Sequence, residues 1–150
     1  MTICGHSYDM ELGRYMASAS RYRLAVILTD RASEDEHILN IGKELASAIK
    51  PLDRRPEVQF QFAVQQALDS IIREHSFTDP TFGECIVLAN PGILFEPELG
   101  IDVADFLRRI SKNRLTILLW PGEANEDGLW FLRVSSSYRI NNSEINYIIL

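Results

Sequence analysis

Four acidic side chains, Asp30, Glu34, Asp35 and Glu36, lie close together in TDRASEDEH, residues 29–37, directly behind the apolar run LAVIL. Carboxylates at this density can hold a divalent cation through oxygen ligands. A connector between a buried strand and a helix is also where many α/β proteins hold a phosphate. That chemistry uses G-x-x-x-x-G-K-[ST], whose glycines let backbone N–H groups wrap the anion while the lysine offsets its charge. Here there is no glycine and no lysine, and Arg31 is the one basic group of the segment. Acids around a helix start stand where the phosphate's own charge would go, so they oppose it. The structural reading accounts for them better: Ser33 with Glu36 forms an S-x-x-E capping box, and first-turn acids complement the helix dipole by about 0.3–1 kcal/mol each. The chemical alternative is a metal-dependent phosphotransferase or nuclease that uses Asp30 with Glu34 or Asp35 at the carboxyl end of a parallel sheet.

The second position that matters is Asn90, at the end of the apolar run CIVLA. Nucleotide-hydrolysing enzymes with a phosphate loop commonly place a magnesium-holding acid there, and an amide cannot supply that charge. No resident metal or cofactor is expected. Cys4 with His6 makes a C-x-H pair without a second pair at metal-site spacing, and His37 and His75 are isolated. No catalytic residue is assigned, because no nucleophile turn is recognisable.

Two segments are candidates for partner binding. Arg108, Arg109, Lys112 and Arg114 cluster at the last turns of one helix, where they either complement its negative end or grip an acidic partner or a phosphate. Ile93, Leu94 and Phe95 lie between two prolines after a buried strand. They either plug the sheet's edge or dock a partner. The C-terminal YIIL could add a strand to another protein.

The elements that must carry these residues follow from periodicity. YRLAVILT (22–29), ECIVLAN (84–90) and RLTILLW (114–120) are continuous apolar runs, the pattern of strands covered on both faces. Between the last two, IDVADFLRRISKN reads as a helix, which makes the pair a parallel crossover. Residues 34–50 read as an amphipathic helix stopped by Pro51. EVQFQF alternates like a short strand but could instead extend the helix of AVQQALDSIIREH. Residues 1–20 carry weak helical spacing. LWFLRV and INYIIL are further short strands expected to close one side of the sheet. The fold class is therefore α/β: one domain with a mostly parallel sheet and helices on both faces.

With 150 residues, 46% hydrophobic and 24% charged, the chain has the size and composition of one such domain. Its net charge of −6 disfavours direct nucleic-acid binding, which depends on clustered Lys and Arg. No window approaches the roughly 18 apolar residues of a membrane span, and the N-terminus lacks the basic start and apolar stretch of a signal peptide. Cys85 within an apolar run reads as a buried thiol of a reducing compartment. A cytoplasmic location is expected.

From residue 84 onward, an aliphatic strand, GILFEPEL, a helix ending LRRISKNR, an apolar strand ending LLWPGE, a turn and short final strands follow in order. In that order and spacing the chain resembles the BrxF-like small P-loop proteins of BREX-type bacterial phage-defence systems. The helix with ELASAIKPLDRRP is compatible with the same family. The resemblance implies a P-loop NTPase-like three-layer sandwich and, as partners, the other proteins of a defence complex or further copies of the chain. Its phosphate-binding residues do not carry over. TDRASEDEH stands in place of the glycine-lysine loop, and Asn90 in place of the Walker B acid.

Overall fold

The computed structural model describes residues 1–18, 21–29, 37–52 and 54–150. The centre is a mostly parallel sheet in the spatial order β11 (Ile148–Ile149), β3 (Leu24–Leu28), β7 (Leu115–Trp120), β6 (Gly83–Ala89), β4 (Ile38–Asn40). Each neighbouring pair in that order is parallel. A further short strand, β5 (Phe77–Asp79), runs antiparallel to the first half of β6, beside the edge that β4 takes further on.

The three apolar runs become strands because both of their faces are covered, and alternate residues go to opposite sides. Leu24, Val26, Ile86, Leu88, Leu118 and Trp120 face one core. Ala25, Ile27, Cys85, Val87, Leu115, Ile117 and Leu119 face the other. The first core is closed by α2 (Ile41–Ile49), α3 (Glu57–His75) and α4 (Val103–Ser111). The second is closed by an N-terminal ribbon, β1 (Thr2–Ile3) with β2 (His6–Ser7), and by α1 (Asp9–Ala17) through Ile3 and Leu12. Among the described residues, helices thus flank both faces, three against one. The Tyr15 hydroxyl ties α1 to the sheet by donating to the Tyr22 carbonyl at 2.8 Å and accepting from Leu24 N–H at 3.1 Å. No helix of the described residues is long and apolar enough to cross a membrane.

Two expectations are corrected and one open choice is decided. The helix expected over 34–50 begins only at Ile41, because Ile38–Asn40 pairs with Val87–Ala89 as a strand. Its N-cap is accordingly Asn40, whose side chain accepts from Lys43 N–H at 3.0 Å, while Ser33 and Glu36 of the expected capping box lie outside the described residues. EVQFQF is the first part of α3: the chain enters at Pro56, Phe60 N–H bonds to the Pro56 carbonyl, and Val58 and Phe62 point outward one turn apart. LWFLRV does not join the main sheet. β9 (Gly128–Phe131) forms a separate antiparallel sheet between β8 (Gly122–Ala124) and β10 (Arg139–Asn141). This small sheet is fastened to β7 by the Trp120 indole N–H, which donates to the Trp130 carbonyl at 3.0 Å. Gly122 permits that approach, since a Cβ there would lie 2.0 Å from the same carbonyl oxygen. The other C-terminal segment does supply an edge, as β11 beside β3.

Candidate functional site

Open α/β sheets bind ligands outside the carboxyl ends of strands where the connections part in opposite directions. In this sheet that place is the β3–β7 pair. The chain leaves β3 for β4 at one edge, and leaves β7 for β11 at the other. A cleft of about 440 Å³ lies there, lined by Leu28, Thr29, Pro121, Gly122 and Leu132. Leu28 and Leu132 are large apolar side chains exposed on its walls. Leu132 has a φ of +66°, a left-handed conformation that costs a branched side chain strain and recurs at ligand sites. Thr29 supplies a hydroxyl. Among the described lining residues none is titratable, so what they offer is two exposed leucine side chains beside backbone polar groups. The acidic connector follows Thr29 directly, and Asp30, Ser33, Glu34, Asp35 and Glu36 lie outside the described residues.

Asn90 ends β6 in a left-handed conformation, φ +56°, which Asn tolerates better than other non-glycine residues. Its amide donates to Asn40 Oδ1 at 3.0 Å, the same oxygen that receives Lys43 N–H at the start of α2. The carboxyl ends of β4 and β6 and the first turn of α2 are thereby held together by one side-chain pair. Gly42 leaves the room for it: a Cβ there would stand 2.4 Å from the Asn90 amide nitrogen. Asn90 is therefore a brace between two strands, made by the amide N–H of an exposed side chain. Sequence reasoning found Asn90 and missed Asn40 and Gly42, because the helix had been expected to start before them.

The other expected residues separate into two groups. Leu94 is buried, and Ile93 and Phe95 pack half-buried against the first core. The Phe95 ring stacks on Tyr138 with centroids 5.4 Å apart and meets Trp120 edge-on at 71°. The segment thus plugs the end of the core under the small antiparallel sheet, the structural one of its two readings. Arg108 pairs with Asp105 and donates to the Glu144 carbonyl, while Lys112 caps the exposed end of α4. Arg109 and Arg114 are brought together in a groove between α3 and α4, joined by Asp69 and Arg73 of α3. Those last two were missed. The signal was their spacing of four on the helix read in AVQQALDSIIREH, which puts the two on one face.

Among the described residues no group of three His, Cys, Asp or Glu side chains is placed to hold a metal. His75 Nδ1 lies 2.9 Å from the Ile71 carbonyl within its own helix, and the His37 ring packs on Phe77. Burial, with the nearby charges of Asp79 and Glu84, pushes the Cys85 thiol up to about 11, away from the range of a reactive nucleophile.

No family model matches the chain, and neither a curated protein nor a solved structure is significantly similar to it.

Proposed function

We propose that the chain is a P-loop-like α/β domain that has lost nucleotide binding and serves as a non-catalytic scaffold or regulatory subunit of a BREX-type bacterial defence complex. The observation that carries the first half of this reading is the Asn90–Asn40 brace. At the end of β6, where a hydrolase of this plan needs a carboxylate for magnesium, the chain has an amide already committed to holding β4 and α2. The sequence after β3 supports it independently. TDRASEDEH has neither the glycines nor the lysine of a phosphate loop, and by Ile38 the chain has entered a strand instead of the helix such a loop opens. The defence context rests on the resemblance over residues 84–150.

The test is calorimetric titration of ATP, ADP and GTP, each with Mg²⁺, into the full chain, beside affinity purification from cells that co-express its genomic neighbours. The expected result is no heat at millimolar nucleotide and recovery of larger defence proteins at fixed stoichiometry. Micromolar binding of a magnesium nucleotide would overturn the reading. A rise in melting temperature with Mg²⁺ or Mn²⁺ that Asp30→Ala abolishes would replace it with the metal-dependent enzyme.

A further inference from the structure

We infer that the groove between α3 and α4 is a binding pocket for an oxyanion, a phosphate or carboxylate group, held by Arg73, Arg109 and Arg114. The groove measures about 240 Å³, and Ile72 and Ile110 form its apolar walls. Both are nearly inaccessible to solvent, so the charges at the rim act across a poorly polarisable surface, where ion contacts are stronger than in water. In a chain of net charge −6, three guanidinium groups and one carboxylate, Asp69, line this groove.

The neighbouring acids engage only part of that donor capacity. Each guanidinium carries five N–H donors in a planar fork suited to two oxygens at once. Arg109 lies 3.3 Å from Asp69 through Nη1 and 3.5 Å from Asp105 through Nε, which leaves Nη2 uncommitted among the described residues. Arg114 faces Glu84 through Nε alone, at 3.6 Å, too long for a hydrogen bond. That Nε is shielded from solvent and so from anything seated in the groove, which leaves the two terminal nitrogens of Arg114 as its donors toward a ligand there. Arg73 forms no ion pair with a described carboxylate and reaches only the Ser70 hydroxyl, at 3.4 Å. An oxyanion seated between the three supplies acceptors to their unbonded N–H groups and meets one carboxylate in the lining, Asp69, with Asp105 and Glu84 beside Arg109 and Arg114. The pocket does not depend on the cleft above β3 and β7, and it stands or falls apart from the proposed scaffold role.

The experiment is titration of the full chain with inorganic phosphate and, separately, with acetate and a phosphoserine tetrapeptide. Ionic strength is held constant with chloride, and binding is read by calorimetry and by the melting temperature. Saturable phosphate binding that weakens about tenfold in Arg73→Ala, and stays unchanged in Arg54→Ala, which removes the same charge outside the groove, is the expected result. Arg73 is exposed, so its replacement leaves the fold intact. Tighter binding of the peptide than of inorganic phosphate would assign the pocket to a phosphorylated partner, equal binding to a free anion, and preference for acetate to a carboxylate. No saturable binding of any of the three, or equal weakening in Arg73→Ala and Arg54→Ala, would overturn the inference.

Discussion

At the scale of single residues, Asn90 is a position of expected chemistry that serves as a structural joint. Asn40 Oδ1 receives two N–H donors, one from the Asn90 amide and one from the backbone of Lys43. Asn90→Asp replaces the first donor with a carboxylate and sets two acceptors against each other at the end of the sheet. We expect a loss of about 0.5–1.5 kcal/mol in urea unfolding at neutral pH, the net worth of one solvent-exposed hydrogen bond. We also expect no gain of magnesium-nucleotide binding, although the substitution supplies the acid that the proposed P-loop plan would place there. Gain of such binding would mean that the brace is a recent overlay on a working site. The position itself was legible in the sequence, as the residue at the end of an apolar run. Its partner was not, because the contact joins residues 50 apart and no local pattern reports it.

At the scale of elements, the three central strands and α4 were readable because their signals are long and unmixed: continuous aliphatic runs, and a helix whose apolar positions recur at three and four. The misreadings fall where a short segment fits two periods. Ile38–Leu39–Asn40 is two apolar residues and a cap, which suits a helix start as well as a strand, and only pairing with β6 decides it. Val58, Phe60 and Phe62 alternate like a strand, yet the continuation to Ala63, Val64, Leu68, Ile71 and Ile72 gives one helical face that the core takes up. α1 was legible only as weak helical spacing because it offers one fully buried side chain, Leu12, to the second core. Of α1 itself, then, Leu12 is the fully buried anchor in that core, beside the partly buried Tyr8 and Met16. Leu12→Ala should cost about 2–5 kcal/mol, the range for emptying a closed aliphatic site. Hydrogen exchange should quicken first in residues 9–17. A loss below 1 kcal/mol with unchanged exchange would show that the layer is held mainly by Ile3 and the Tyr15 hydroxyl instead.

At the scale of the whole molecule, the two cores share one sheet, and a charge formed in either bears on the stability of the full fold. Cys85 provides the test. Its side chain is buried on β6 facing the N-terminal layer, and burial is the largest cause of its thiol being pushed up to about 11 from 9.0, with Asp79 and Glu84 adding to it and the N-terminal amine opposing. The folded chain therefore keeps a proton that the unfolded chain releases first. Between pH 9 and 11 the unfolded state binds fewer protons, and the free energy of unfolding falls as pH rises. The contribution, present in full below about pH 9 and lost through about pH 11, is on the order of 2–3 kcal/mol. Tyr8, Tyr15, Tyr138 and Tyr147 are also raised, so they push in the same direction. Urea unfolding of the wild type and of Cys85→Ala at pH 8 and pH 10.5 separates the thiol from the phenols. The wild type should lose roughly 2 kcal/mol more than the variant over that interval. Equal losses in both would mean that the thiol reaches water while the fold is intact, and that the N-terminal layer opens without unfolding the rest.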